Sequence, residues 1–402
     1  MEYATLNEKT ALEFARAKTK VFSADSQLEC KEIGDGNLNM VFRVSETKGS
    51  GASVIIKQSL PHARIDDSIV APLDRARIES EMLVLHDRNC PGLAPKIFSY
   101  DREMYAIIME DLSDHIVLRK GLIAGTVYPK LAEHIGEFLA RSLFFTSDLG
   151  MDPLKKKVVQ KSFVNPDLCK ITEDLVFSNP YFDAANNKID PEIRERAEEN
   201  WKDAALKREV AKLKEKFMTQ GQALIHGDLH TGSVFVTAES TKAFDPEFGF
   251  FGPMGFDVGA IIGNLVLNHA SQLWHKKDKH EREVFREYLL RSFREIWYVF
   301  EEQFRSLWHE HVKTPLEMNP EYLEDYMKRL LADSIGYAGC KMTRRIVGLA
   351  QVEDIRSIPD AEVRARAQIS VLDTAREFIM RREEYQNIDE AVETVLKFAV
   401  TQ

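Results

Sequence analysis

The sequence predicts an α+β fold with two lobes, a small lobe rich in strands followed by a larger lobe that is mainly helical. Short alternating apolar segments occupy the first part of the chain, and long segments with helical periodicity occupy the rest. The polar stretch 110–114 between them is typical of a linker. We therefore expect an N-lobe over 1–109, a hinge over 110–114 and a C-lobe over 115–402, with ligands in the cleft between the lobes.

The elements of the N-lobe follow from two periodicities. Residues 40–46 and 52–58 alternate and are rich in β-branched or aromatic side chains, which predicts two strands. Apolar side chains at i, i+4 and i+7 predict a helix over 74–88. The apolar runs PKIFSY and YAIIME then predict two further strands.

The C-lobe is predicted to be helical with one interruption. Residues 222–251 have the pattern of short strands and turns. Helical periodicity extends over about 128–149, 191–217, 256–270, 278–309, 321–340 and 360–383.

Composition excludes several classes of protein. The chain has 402 residues and a formal net charge of −10, which gives it no global attraction for nucleic acid or anionic membrane. No run of about 18 apolar residues is present, and the acidic N-terminal segment is unlike a signal peptide. The four cysteines lie far apart, so we expect no zinc site, no disulfide framework and a cytoplasmic location. They are Cys30, Cys90, Cys169 and Cys340.

The segment GDGNLN, between predicted strands, has the composition of a phosphate-covering loop. Gly34 and Gly36 allow backbone amides to approach phosphate oxygens closely. The third glycine usual in such loops is missing, so we expect Asn39 to take over some contacts. A simple hairpin turn is the alternative explanation.

Lys57 ends the apolar strand VIIK, where its ammonium can be directed into a cleft. A glutamate on the next helix is the usual partner of such a lysine. Glu79 and Glu81 are both available, and we favour Glu79. A surface lysine with a buried aliphatic stem remains the alternative.

Asp228 lies in the segment His-Gly-Asp-Leu-His, which follows one apolar strand and precedes another. An aspartate on a tight loop at the edge of a rigid element is well placed to accept or orient a hydroxyl proton. We interpret His226 and His230 as structural residues that shape the loop.

Asp245-Pro246-Glu247 places two carboxylates at i and i+2, which point to the same side of an extended segment. Both can bind one hard cation through oxygen. A solvated acidic turn is the alternative, although the neighbouring phenylalanines argue against it. Asp257 begins the next helix, and two compatible roles are expected for it: the N-cap of that helix and a brace for the Asp228 loop.

These motifs resemble the protein-kinase-like superfamily, and within it the aminoglycoside phosphotransferase and choline kinase branch. The paired motifs HGDLHTGSVFV and FDPE carry this resemblance. GDGNLNMVFRV, LDRARIESE and DPEFGFFGPMGFDVGA are further similar to the 5-methylthioribose kinase family, over nearly the whole chain.

The resemblance implies an ATP-dependent and magnesium-dependent kinase of 5-methylthioribose, with Asp228 contacting the sugar hydroxyl. Asp245 and Glu247 correspond to the metal pair of that branch, and Lys57 and Asn39 to its phosphate and ATP contacts. Pro246 lies within the same ATP-binding motif.

The resemblance also assigns roles outside these motifs. Glu110, Asp111 and Leu112 correspond to the hinge that reads adenine through backbone groups. Arg344 and Arg345 resemble a twin-arginine motif that binds ribose hydroxyls or stabilises charge on the transferred phosphoryl group. Two helix-surface charges are the alternative explanation of this arginine pair. A homodimer is the oligomer that the resemblance suggests.

Two positions depart from the usual pattern. Ser233 stands where many members of the superfamily have an asparagine that binds magnesium, so metal binding rests more on Asp245 and Glu247. Residues 66–74 contain no tryptophan, unlike the corresponding segment of the family, which leaves the closing of that loop over substrate open.

Two other functions remain alternatives. One is a kinase of another small alcohol, of the aminoglycoside, choline or homoserine type. The other is a catalytically inactive kinase fold used for binding, which the presence of Lys57, Asp228 and Asp245 disfavours.

Overall fold

The computed structural model describes residues 3–34, 39–63 and 66–400, without the side chains of 63 and 66–70. The loop residue Gly36 lies outside the described residues, as do several side chains of the segment 66–74. The chain divides into two compact units. The first comprises Met1–His115 and Lys242–Gly249, and the second comprises Ile116–Thr241 and Phe250–Gln402.

The first unit is built on a five-stranded antiparallel sheet in the order β1-β2-β3-β7-β6. Its helices are α1 (Glu8–Lys18) and α2 (Arg75–Asn89). Its strands are β1 (Leu28–Glu32), β2 (Asn39–Glu46), β3 (Ser53–Ser59), β4 (His62–Ala63), β5 (Asp66–Val70), β6 (Ile97–Asp101) and β7 (Ala106–Glu110). β4 and β5 pair with each other outside the main sheet.

Alternation along the strands separates the two faces of this sheet. Phe42 and Ile56 belong to one apolar cluster with Phe14 of α1. Ile107 belongs to another cluster with Leu83 of α2, against which Ile55 packs. Lys57 follows Ile55 by two residues on β3, so its side chain leaves the sheet on the face that α2 covers.

The second unit is mainly helical. Its helices are α3 (Leu118–Ala124), α4 (Leu131–Phe145), α5 (Pro153–Ser162), α6 (Pro166–Thr172), α7 (Arg194–Lys202), α8 (Ala204–Thr219), α9 (Gly255–His275), α10 (Lys279–His311), α11 (Pro320–Val347), α12 (Glu353–Arg356), α13 (Ala361–Arg381) and α14 (Ile388–Phe398). A π-helical turn (Glu173–Ser178) and 3₁₀ turns (Asn179–Tyr181 and Pro191–Ile193) precede α7.

Short strands in this unit frame the loop that carries Asp228. β9 (Ala223–Ile225) ends just before that loop and pairs antiparallel with β12 (Phe250–Gly252). β10 (Val234–Val236) begins just after it and pairs antiparallel with β8 (Ile116–Val117). Both ends of the loop are therefore anchored in sheet hydrogen bonds.

Glycines on α9 let α11 approach closely. A Cβ atom added at Gly255 would lie 2.8 Å from the backbone nitrogen of Ser334, and one at Gly259 would overlap the carbonyl oxygen of the same residue. Since α11 carries the twin arginines and α9 carries Asp257, this close packing fixes two parts of the predicted site relative to each other.

The predicted α+β class, with a small antiparallel lobe and a larger helical lobe, is confirmed. The segment 242–249 differs from the predicted division, because it groups with the first unit and not with the C-lobe. After β11 (Thr241–Ala243), the amide of Ala243 donates to Leu93 at 2.9 Å and Lys242 pairs with Glu110 at 3.1 Å. These long-range bonds have no signature in local sequence, and they bring Asp245 and Glu247 into the first unit.

The predicted helix over 191–217 is two helices, α7 and α8, because Asp203 caps the second one by accepting from the amide of Leu206. The helix predicted over 321–340 continues to Val347, so it includes Arg344 and Arg345. α1 and α14 were not predicted.

Candidate active site

In the first unit, Lys57 bridges two elements that are distant in sequence. Its Nζ atom lies 2.8 Å from the Glu79 carboxylate on α2 and also forms an ion pair with Asp245. Glu81 instead pairs with Arg77 of its own helix at 3.1 Å. The face of β3 that α2 covers therefore joins Lys57 to Glu79 and leaves Glu81 in a local helical pair.

Three carboxylates gather around this lysine. Glu79, Asp245 and Glu247 each offer an oxygen atom, and these atoms lie within 4.8 Å of one another. Asp245 adopts a left-handed backbone conformation with φ of 66°, which is uncommon for a residue other than glycine and is typical of functional loops.

The electrostatics of this cluster favour an added cation. Burial raises the pKa of Glu79 and of Glu247, and the charge of Asp245 raises both further, although Lys57 acts in the opposite direction. Burial by itself lowers the pKa of Lys57, but the three surrounding carboxylates outweigh it and raise that pKa. The oxygen atoms of these three side chains lie close together, so a hard divalent cation would find oxygen donors there.

Arg75 is a member of this cluster that sequence reasoning did not single out. Its side chain is fully buried, and Nε donates to Glu247 at 3.2 Å. Nη1 donates to the backbone carbonyls of Leu60 (3.0 Å) and Pro72 (2.9 Å), and Nη2 donates to Asn39 (3.2 Å). The signal in the sequence is an arginine in the first turn of the helix that carries Glu79, although nothing local shows that it is buried.

The remaining predicted nucleotide contacts are held in different ways. Asn39 is buried beside Arg75, and its side chain also accepts from Ser59 at 3.3 Å. Gly34 has φ of 87°, a backbone conformation that glycine adopts without steric strain. Pro246, between the two carboxylates, is buried.

The hinge side chains have protein partners. Glu110 pairs with Lys242 at 3.1 Å, and Asp111 pairs with Arg43 at 2.6 Å. The carbonyl of Leu112 accepts from His115 at 2.9 Å. Within the described part of the chain, the amide of Leu112 donates no hydrogen bond.

In the second unit, Asp257 braces the loop that carries Asp228. One carboxylate oxygen accepts from the amide of His226 at 2.6 Å, and the other accepts from the amide of Gly227 at 3.0 Å. Asp257 lies inside the first turn of α9, and its side chain makes no hydrogen bond that caps this helix. Asp257 therefore acts as a brace for the loop and not as the N-cap. Gly227 has φ of 82°, which allows the chain to turn sharply before Asp228.

Asp228 is surrounded by cationic and donor groups. The Nζ atom of Lys341 lies 2.7 Å from Oδ1, and Nε2 of His230 lies 3.2 Å from Oδ2. Arg344 and Arg345 approach the carboxylate at 3.6 Å and 4.0 Å. The structure thus brings both predicted arginines to Asp228. Both are buried residues of α11, so the alternative of two helix-surface charges is wrong.

These neighbours determine the ionisation of Asp228. Burial by itself raises the pKa of this carboxyl, but Lys341, His230 and Arg344 outweigh it and hold the pKa well below its usual range. Asp228 is therefore a carboxylate at neutral pH. Such a group orients a hydroxyl by accepting its hydrogen bond and is a weak base until the hydroxyl oxygen becomes acidic.

The histidine and serine of the loop serve its geometry. Nδ1 of His230 accepts from the amide of Gly232 at 2.8 Å, so its proton lies on Nε2, which faces Asp228. Burial lowers the pKa of His230 to about 3, and the ring is neutral. The hydroxyl of Ser233 donates to the carbonyl of Asp228 at 2.7 Å, so it fastens the loop backbone.

Lys341 and a second layer behind His230 were missed from the sequence. Lys341 precedes the twin arginines by one helical turn, and that i, i+3, i+4 spacing was the available signal. Behind His230, Arg119 of α3 contacts Nδ1 of that ring at 3.3 Å and Asn264 at 3.2 Å, and it lies 3.2 Å from Asp354. This layer joins distant segments, so no local pattern predicts it.

No helix in the described ranges is both long enough and apolar enough to cross a lipid bilayer.

Comparison with known proteins places these features among phosphotransferases. A family model described as "Phosphotransferase enzyme family" matches residues 29–297. The methylthioribose kinase of Geobacillus sp. (strain WCH70) is 44% identical, covering 95% of this chain and 93% of the relative. The methylthioribose kinase of Bacillus pumilus (strain SAFR-032) is 40% identical, covering 98% and 97%. A solved glucosamine kinase has a TM-score of 0.50 and 10% identity, covering 91% and 82%, so that likeness concerns the fold alone.

Proposed function

Since the chain belongs to the phosphotransferase enzyme family and, within it, to the methylthioribose kinases, we propose that it transfers the γ-phosphoryl group of ATP to the 1-hydroxyl of 5-methylthioribose, a step of methionine salvage. The observation that carries the proposal is the match to relatives of that name over nearly the full length of both chains. The chemistry of the two residue clusters supports it.

The second unit supplies the acceptor side. Asp228 accepts the hydrogen bond of the sugar 1-hydroxyl and orients its oxygen toward the γ-phosphorus. The oxygen–phosphorus bond forms as the bond from the γ-phosphorus to the bridging oxygen breaks. ADP leaves with that electron pair, and the hydroxyl proton passes to Asp228.

The first unit supplies the donor side. Lys57, held between Glu79 and Asp245, anchors the non-transferred phosphates. Asp245 and Glu247 fit a magnesium ion, because their oxygens and one of Glu79 lie within 4.8 Å of one another. Magnesium bound there supplies charge neutralisation at the phosphate oxygens.

The backbone of 110–112 reads the adenine ring in this proposal. The amide of Leu112, which donates no hydrogen bond within the described residues, supports that role. Gly34 permits the loop to approach the phosphates, and Asn39 acts through Arg75 and Glu247 because its side chain is buried among them.

Arg344 and Arg345 neutralise charge on the moving phosphoryl group or bind ribose hydroxyls. The Nε atoms of both arginines are buried and lack a partner in the described part of the chain. Two buried, unsatisfied guanidinium donors beside Asp228 are suited to an oxygen-rich ligand.

The decisive variant is Asp228→Asn. We expect loss of turnover with methylthioribose and little change in ATP affinity, because the ATP-binding residues that we propose lie in the first unit. Coupled detection of ADP measures the first quantity and isothermal titration calorimetry the second. Asp373→Asn, which breaks an ion pair with Arg196 at 2.8 Å, is the control. Near-normal turnover of Asp228→Asn would refute the assignment.

Kinases of cationic alcohols form the competing group. Lys341, Arg344 and Arg345 converge on a single carboxylate, Asp228, so the acceptor site carries an excess of positive charge and repels an amine. A panel of methylthioribose, choline, homoserine and an aminoglycoside should show ADP formation with methylthioribose alone. Phosphorylation of choline or the aminoglycoside would contradict this reasoning, and magnesium-dependent turnover of any acceptor excludes an inactive binding protein.

We also propose a cytoplasmic homodimer, in keeping with the family resemblance and the free thiols of all four cysteines. Light scattering coupled to size-exclusion chromatography should give a mass near twice the 46.0 kDa of one chain. A mass of one chain at micromolar concentration would contradict the dimer.

A further inference from the structure

Lys341 makes a closer contact with Asp228 than either arginine does. Its Nζ atom lies 2.7 Å from Oδ1, whereas the nearest guanidinium nitrogens lie 3.6 Å and 4.0 Å from the carboxylate. The lysine side chain is only 2% exposed. In the described ranges, this ammonium group donates a hydrogen bond to Asp228 and to no other residue.

The same turn of α9 holds both members of this ion pair. The ammonium group of Lys341 lies 4.5 Å from the centre of the Phe256 ring, within the range of a cation–π contact. The next residue, Asp257, accepts from the two amides that precede Asp228. The lysine and the aspartate therefore have fixed positions before any substrate binds.

The charges around the pair come from several elements. Arg344 and Arg345 face it from α11, Asp257 from α9 and His230 from the loop itself. Arg119 of α3 and Asp354 of α12 lie behind His230 and Arg345. Burial lowers the pKa of Lys341 to about 8 although Asp228 acts to raise it, so the lysine is mainly charged at neutral pH.

Resting on the proposed kinase function, we propose that Lys341 is a positioning residue for phosphoryl transfer, which keeps Asp228 ionised and fixed. Its ammonium occupies one lone pair of Oδ1, and His230 occupies one of Oδ2, so the acceptor hydroxyl meets a carboxylate of defined orientation. When the hydroxyl proton reaches Asp228, the adjacent positive charge drives that proton to solvent, and the carboxylate is regenerated for the next turnover.

The test is the pH dependence of kcat for methylthioribose phosphorylation in Lys341→Gln and Lys341→Met. Lys341 is the largest of the contributions that lower the pKa of Asp228, so its removal raises that pKa, and the acidic limb should move to higher pH by about one unit or more. We expect kcat to fall about tenfold or more, with the KM for ATP changed less than about twofold. If both variants kept the acidic limb and the kcat of the wild-type protein, the proposal would be overturned.

Lys156→Gln is a matched control. Lys156 is also buried, pairs with Asp148, donates to two backbone carbonyls and lies 5.6 Å from the centre of the Phe251 ring. Its removal should leave the acidic limb unchanged. An equal displacement in Lys156→Gln would show that loss of any buried lysine suffices, and would overturn the specific role of Lys341.

A double variant tests the pair without any activity. Lys341→Met and Asp228→Asn should each lower the melting temperature, because each removes one partner of the buried ion pair. The double variant should melt no lower than the less stable single variant. If the two single-variant losses of melting temperature simply added in the double variant, the inferred interaction between Lys341 and Asp228 would be refuted. An inactive wild-type protein with a non-additive double variant would instead refute the proposed function and leave the ion pair intact.

Discussion

Replacing Asp257 by asparagine tests how the Asp228 loop is held. The carboxylate accepts from the amides of His226 at 2.6 Å and Gly227 at 3.0 Å, and the residue is buried. An asparagine side chain has one oxygen and one NH₂ group, so it can accept only one of these two bonds. The other amide would then face the NH₂ group, which is a second donor.

The expected cost follows from these two bonds. One charge-assisted hydrogen bond is lost, and one buried amide is left without an acceptor; together these cost about 3 kcal/mol. For a domain of this size, about 2 °C of melting temperature accompanies each kcal/mol, so a fall of about 6 °C is expected. Because the unpaired amide lies next to Asp228, kcat should also fall.

Differential scanning calorimetry and a coupled ADP assay measure the two effects. Asp360→Asn is the matched control, because Asp360 also accepts two backbone amides, both at 3.0 Å, but as an exposed N-cap of α13. Asparagine is as good an N-cap as aspartate, so this control should lose little stability. If Asp257→Asn were equally mild, Asp257 would be an ordinary cap and the brace would be refuted.

Two further predictions concern other buried charges. Arg75→Met should destabilise the protein by about 3–5 kcal/mol, because it removes the buried cation that pairs with the buried Glu247 carboxylate. An unchanged free energy of unfolding in urea would contradict this. Burial raises the pKa of Glu209, but Arg382 and Lys212 outweigh it and bring the pKa to about 2. Since the folded-state pKa lies below the unfolded value of about 4.3, the stabilisation exists above that value and disappears as pH falls toward 2. The melting temperatures of wild type and Glu209→Gln should therefore differ at pH 7 and converge as the pH falls toward 2, and a constant gap would refute this.

Much of the fold could be predicted because its signals are local. The strands around Lys57 and the helix that carries Glu79 follow from alternation and from i, i+4 spacing. The loop of Asp228 is delimited by two short apolar strands. α1 and α14 were missed although both have caps that accept from a backbone amide, and although Ile388, Ala391, Val392 and Val395 recur at helical spacing in α14.

The roles of individual site residues depended on long-range contacts. Ser233 fastens the Asp228 backbone, Asp257 accepts two loop amides, and the segment of Asp245 groups with the first unit. Each of these facts joins residues far apart in sequence or depends on the direction of one side chain. Residue type and spacing left alternatives open at each of these positions.

The sequence by itself determined the fold class and the order along the chain of the candidate phosphate loop, lysine, aspartate and metal-binding pair, because these are local patterns. Only the tertiary structure decided which charges meet. Lys341 and Asp228 are 113 positions apart, and Arg75 and Glu247 are 172 apart. The free energy of a buried ion pair depends on distance and desolvation, which arise when the chain folds and which composition and periodicity do not encode.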